Sequence, residues 1–434
     1  MENKFSGVVI KAYFMLVAVL MYYFVTQAIN LGLFISYRHA FALLLFVSAL
    51  FVFLLKPNVA RGASSLKGTF VYSLPLLVSL IASLFIWFVN RVDTEVISRG
   101  LSSSLVYTNL LSCALAAVAF LYIFGEKGIW YNLLAILISN MLMLATIIAQ
   151  YGLGAFLGEF VRLVVSFADD TGDIIVQAEI HELAFCLGAY LIYMFLKPRK
   201  NIAFYILLAL TCFCFLTAFK RIGIIAIVLS LAIGWILKII AKFNKQTAIR
   251  LCKFISIALV FVLIGYVFII KMGVFSLLEE AGIDTTGRDE IYSAVDKFYE
   301  FSPEFLGNGI GFLSYQLTTN MKVGVLAVHN DFLQYFIDLG FFGYILWLIT
   351  MTFSRVSYFG SKGNLDGAVI TLALTIYLVI SSSTDNTVNF PLLSTVLAII
   401  MIGHGFDEKV RVTENKMFGY ISEENRETEG GGLL

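Results

Sequence analysis

Residues 220–241 read KRIGIIAIVLSLAIGWILKIIA. Between Arg221 and Lys238 no residue carries a charge. A helix needs roughly 20 mainly apolar residues to cross the hydrocarbon of a bilayer. Cations at both ends of such a run suit the two headgroup layers. The pattern recurs along the chain, near 8–25, 40–55, 69–90, 104–124, 129–150, 180–196, 202–219, 254–270, 331–353, 368–383 and 390–405. The expectation is an all-α polytopic membrane bundle of about twelve transmembrane helices in one domain, residues 1–405. A polar cytoplasmic tail, 406–434, follows and is expected to be flexible.

Composition agrees. Of 434 residues, 60% are hydrophobic and 14% charged, against about 45–50% and about 25% in soluble domains. A water-soluble enzyme, a nucleic-acid binder and a disordered chain are excluded. The formal charge of +1 is uninformative, so the distribution decides orientation. With the N-terminus in the cytoplasm, alternate loops place most Lys and Arg inside and most acids outside, as membrane proteins favour. That orientation puts both termini in the cytoplasm. Two long loops, about 151–179 and about 271–330, then face outward. The second should hold a short helix, because Ile291, Ala294, Val295 and Phe298 recur at helical spacing. Thr286 with Asp289 resembles a capping box at its start. The five cysteines (Cys113, Cys186, Cys212, Cys214 and Cys252) lie in or beside apolar runs and read as packing residues. The first run lacks a small-residue cleavage site and reads as a span.

Ionisable residues beside the spans carry the functional signal, because hydrocarbon disfavours them. Lys220 and Arg221 form a cationic turn at the expected outer surface. Arg288 opens the loop helix. His329 sits at the mouth of span ten, where Asp331, Gln334 and Asp338 follow along a polar face of a possible groove. His181 and Glu182 open span six, and Arg162 precedes them in the outer loop; these are possible further groove walls. Bland readings stand beside each: snorkelling cations, an Arg paired with a neighbouring acid, an interfacial His at a helix cap, and an acidic loop that follows the charge bias. The run Gly307-Asn308-Gly309-Ile310-Gly311 follows no strand and reads as a turn using positive φ rather than a phosphate loop. No His-Glu-x-x-His or acidic cluster has metal-binding spacing, so no metal and no cofactor are expected. Guanidinium forks beside an imidazole suit a lipid-borne diphosphate that is also the leaving group, with the imidazole as base for an attacking hydroxyl.

At these residues the sequence resembles the O-antigen ligase/polymerase family, which includes Wzy-type polysaccharide polymerases. The matching segments occur in order: Phe219-Lys220-Arg221-Ile222-Gly223, Thr286 to Tyr292, Phe305 to Gly311, His329 to Gln334, and Leu339 to Gly343. His181-Glu182-Leu183-Ala184 sits where members start a span with His, Pro and Asn, here with Glu replacing Asn or Pro. The resemblance covers about 180–345. It implies a metal-independent, inverting glycosyltransferase at the outer face of a bacterial plasma membrane. Arg221 and Arg288, with Lys220, would hold the diphosphate of an undecaprenyl-diphosphate-linked oligosaccharide, and His329 would deprotonate the acceptor. Expected partners are a second lipid-linked oligosaccharide as acceptor, membrane lipid, a chain-length regulator and a flippase. A ligase delivering glycan to a lipid, protein or wall acceptor is the alternative. A transporter is a further alternative, but it should carry its ionisable residues near the midplane, whereas here they cluster at the outer rim.

Overall fold

A computed structural model describes residues 2–26, 37–90, 97, 105–166, 181–217, 220–282, 285, 287–317, 328–361 and 364–414. Every regular element among them is helical. The first half comprises α1 (Glu2–Thr26), α2 (Tyr37–Leu55), α3 (Val59–Tyr72), α4 (Leu74–Asn90), α5 (Leu105–Phe124), α6 (Gly128–Tyr151), α7 (Leu153–Ser166) and α8 (His181–Leu196). The second half comprises α9 (Ile202–Thr217), α10 (Arg221–Phe243), α11 (Lys245–Lys271), α12 (Val274–Glu280), α13 (Arg288–Val295), α14 (Phe312–Tyr315), α15 (Asp331–Ile349), α16 (Arg355–Phe359), α17 (Leu365–Ser382) and α18 (Pro391–Gly403).

A helix stands at each expected span, but the count of twelve membrane crossings does not follow. Among the described residues six stretches are long and apolar enough to cross, or seven if the bent pair α3–α4 is one span. The stretches at α8, α9 and α18 are shorter, as is the apolar part of α2, Ala40–Leu55. At 1.5 Å per residue, a helix under 18 residues falls short of a ~30 Å hydrocarbon layer. The stretch 69–90 is also not one straight span. α3 begins at Val59, and the chain bends by 54° between α3 and α4. Pro75 accounts for the break, since it has no N–H to give the Val71 carbonyl one turn earlier.

The core is graded. In α17, 83% of the residues are buried inside the protein, against 28% in the best window of α11. α17 and α18 are therefore central staves, apolar on all sides because protein surrounds them, while α10 and α11 turn one face to lipid. α17 packs on α10, α11, α8 and α16, and α18 on α5, α8, α3 and α6. Residues 406–414 are helical and Phe406 is fully buried, so this part of the expected flexible tail is ordered; 415–434 lie outside the described residues.

The loop before α15 holds short helices, as its apolar spacing suggests. Ile291 and Val295 of α13 are buried. Lys271, at the end of α11, anchors the loop: its Nζ donates to the carbonyls of Asp296 (3.1 Å) and Tyr299 (2.9 Å) and pairs with the Asp296 carboxylate. The helix starts differently from the expected capping box. Gly287 is the N-cap, with φ 73°, and Thr286 lies outside the described residues.

Candidate functional site

The polar run Ser381-Ser382-Ser383-Thr384-Asp385-Asn386-Thr387 joins α17 to α18. The N–H of Ser383 closes the last turn of α17 on the Val379 carbonyl. The Asp385 carboxylate accepts the following N–H of Asn386 at 2.8 Å, a local bond that competes with helix. Pro391 then starts α18. The chain therefore turns at the end of the bundle and presents Thr384 and Asp385.

Four other elements converge on this turn. Lys220, the N-cap of α10, brings Nζ to 3.8 Å from Asp385 Oδ2. His329, just before α15, brings Nδ1 to 3.8 Å from Asp385 Oδ1. Arg288, the first residue of α13, donates Nη2 to the Thr384 carbonyl at 3.1 Å and Nη1 to the Thr285 carbonyl at 3.3 Å. Tyr266 of α11 donates its hydroxyl to the Ser383 carbonyl at 2.9 Å. Arg221 follows Lys220 as the first residue of α10, with an exposed side chain. Arg288 thus leans on backbone carbonyls rather than only on the neighbouring acids of its own segment.

The electrostatics of the turn follow from these contacts. Burial pushes the Asp385 carboxyl up, but His329, Lys220 and the Asn386 N–H together hold it below the usual carboxylate value. Burial pulls the Lys220 ammonium below the usual lysine value, with Asp385 opposing. His329 has φ 53°, in the left-handed region, and is half-exposed. Asn330 fixes that geometry. Its Oδ1 caps α15 by accepting from the Leu333 N–H, and its amide nitrogen donates to the hydroxyls of Tyr266 (3.1 Å) and Tyr292 (3.0 Å).

The other expected groove residues are placed differently. Asp331 is fully buried and accepts from the Val388 N–H (2.8 Å) and the Asn389 amide (2.9 Å), tying α15 to the chain before α18. Asp338 is 1% exposed and accepts from the N–H groups of Gly311 and Leu313, both at 3.2 Å. Gln334 is buried and lies 3.5 Å from the Ser314 hydroxyl. Glu182 is buried and accepts the Leu392 N–H at 2.6 Å, capping α18. These acids hold loops and helix ends and do not stand open to water. The physical reason is that unsatisfied N–H groups at buried helix starts and turns need acceptors there. His181 begins α8, and its side chain lies outside the described residues. Arg162 is exposed on α7, which packs on α6.

Asp385 and Thr384 were not among the sequence candidates. A signal was present: Asp385 is the only acidic residue between Asp366 and Asp407, in a run of seven polar residues between two apolar helices.

Chemically, the site gathers Lys220 and Arg288 at the N-termini of two helices, with Arg221 next to Lys220 in sequence, where backbone dipoles also favour anions. Beside them stands an imidazole whose Nδ1 faces a carboxylate. No curated protein matches the chain. Residues 206–348, from α9 into α15, match the family model described as O-antigen ligase. Members of that family are glycosyltransferase-like enzymes, both ligases and polymerases. Lys220, Arg221, Arg288 and His329 all fall within the matched residues, a likeness consistent with the O-antigen ligase/polymerase family.

Proposed function

We propose that this membrane protein is a polysaccharide polymerase. It transfers glycan from an undecaprenyl-diphosphate donor to a sugar hydroxyl of another lipid-linked repeat unit, at the outer face of the plasma membrane. The observation that carries the reading is the convergence of Lys220, Arg288 and His329 on the single turn Thr384–Asp385.

The acceptor oxygen attacks the anomeric carbon from the face opposite the diphosphate, so the configuration inverts. The sugar–oxygen bond to the diphosphate breaks, and the diphosphate leaves with the electron pair. Arg288, Arg221 and Lys220 meet the negative charge that grows on it. The acceptor proton passes to His329 Nε2, the ring nitrogen turned away from Asp385. Asp385 holds the ring through Nδ1 and stabilises the imidazolium that forms, the role a buried carboxylate plays behind a catalytic histidine. Three cations supply charge neutralisation that a divalent ion would otherwise provide, so transfer proceeds in a chelator.

The test uses the full chain in its membrane, with lipid-linked glycans resolved on gels. His329→Ala should lower transfer by about 10²–10⁴-fold. Asp385→Asn should lower it too, by up to about 10⁴-fold, because the ring loses the carboxylate that orients it and stabilises the imidazolium. Single repeat units should accumulate in both. Unchanged ladders refute the reading. Long lipid-linked chains that accumulate without reaching a final acceptor identify a ligase instead.

A further inference from the structure

Arg355 stands apart from that site. It lies just past the apolar run 331–353, yet it is 7% exposed, at the start of α16 and inside a crossing stretch that runs from Asp331 to Phe359. Its Nε and Nη2 both donate to the Tyr72 carbonyl, at 3.1 and 2.6 Å, and its guanidinium carbon lies 4.0 Å from the centre of the Tyr72 ring. It therefore caps the C-terminus of α3 at the bend, an ordinary role for a cation.

Capping leaves two things unsettled. A helix C-terminus offers roughly half a negative charge, so a whole cation inside the bundle is under-neutralised. Among the described residues no acidic group pairs with Arg355, and the Tyr72 ring it lies over is uncharged. In addition, Nη1 donates to no protein acceptor among the described residues. Arg355 also lines a cavity of about 40 Å³, with Tyr72, Ser73, Trp347, Thr387 and Ser394 among its other walls. No carboxylate is in that lining, and the hydroxyls of Tyr72 and Ser394 lie 3.2 Å apart within it.

We propose that this chamber is a binding site for a small inorganic anion of chloride size, held by Arg355 Nη1 and the Ser73 and Ser394 hydroxyls. The charge calls for an anion, because a buried guanidinium without a counter-charge is costly. The volume sets its size. By the measure in which one water needs about 10–15 Å³, the chamber has room for about three waters. A chloride with one or two waters fits, whereas a phosphodiester with its two organic arms does not. The anion completes a packed junction, since the same chamber touches α3, α15, α16, α17, α18 and the Thr387–Val388 segment. The proposal is independent of the transferase reading.

The test is thermal unfolding of the purified full-length protein in detergent, with chloride replacing gluconate at constant ionic strength. The expected result is a saturable rise in Tm of about 1–3 °C, absent in Arg355→Gln. Because that variant also loses the α3 cap, crystals of the unaltered protein grown in bromide give a second readout. An anomalous peak beside Arg355 Nη1 is expected. A flat titration overturns the proposal, as does a chamber that holds only water or a lipid phosphate.

Discussion

His329 adopts a backbone conformation that L-residues avoid. Its φ of 53° costs about 1–2 kcal/mol relative to a right-handed conformation. The Asn330 cap and the Tyr266 and Tyr292 hydroxyls hold the chain there. The strain gives a way to separate folding from chemistry. His329→Gly should leave the protein as stable as before, or up to about 1 kcal/mol more stable, because glycine accepts positive φ. The same variant should lose transfer as fully as His329→Ala. Chemical unfolding read beside glycan gels checks both halves. A variant that unfolds would show that the imidazole is needed for structure. The sequence exposed the histidine and both arginines, because polar residues are conspicuous beside apolar runs. It did not pair the histidine with Asp385, which lies 56 positions further on. Nor did it show that Asp331, Asp338 and Glu182 are internal acceptors, since an acid that caps a buried helix and one that lines a groove look alike in one dimension.

At the scale of elements, the Gly-rich loop and the kink in α15 form one device. Gly340 interrupts α15 with φ 70° and ψ −177°. The Gly307–Gly311 loop crosses the helix at that break. The N–H groups of Asn308 and Gly309 donate to the Asp338 carbonyl, at 3.1 and 2.7 Å, and the Phe341 N–H donates to the Phe305 carbonyl at 2.9 Å. These carbonyls and amides are the ones a helix break would otherwise strand. A methyl group on Gly340 would sit 2.2 Å from the Leu306 carbonyl carbon. Gly340→Ala should therefore destabilise the protein by about 2–4 kcal/mol, from positive-φ strain plus a backbone clash. Unfolding in denaturant measures it, and an unchanged midpoint would contradict the crossing. The loop's use of positive φ was legible, with Gly307, Gly309 and Gly311 at 92°, 87° and 83°. Its partner across the bundle was not.

At the scale of the whole molecule, the opposite end of the bundle carries its own polar junction. His404, just past α18, is 6% exposed, and its Nδ1 lies 3.0 Å from Lys197 Nζ, which also pairs with Glu126 at 3.2 Å. Burial first, and then Lys197, pull the imidazole down to about 4. Its value in an unfolded chain is about 6.5. Between those values the unfolded chain takes up a proton that the folded protein refuses, so stability falls as pH drops from about 6.5 to about 4 and levels off below. The full effect is about 3 kcal/mol. Melting curves across that range should show the decline in the parent and a flatter profile in His404→Gln. Equal slopes would mean that His404 is not held neutral. The same window separates His404 from Asp385, whose depressed value places its own loss of stabilisation at more acid pH, as protonation ends its attraction to Lys220.

Hydrophobicity and its spacing determined that this chain is a helical membrane protein, because apolar runs of that length have no other stable home. Local chemistry determined where many helices begin, and the ordered polar segments marked the region that matches the O-antigen ligase model. Only the tertiary structure decided which helices are central, that α3 and α4 bend, and that Arg355 lies inside rather than at the surface. It alone brought Lys220 and His329 to one carboxylate and Arg288 to the carbonyl beside it. Pairings of that kind depend on how helices pack in three dimensions, and distance along the chain carries almost no information about that packing.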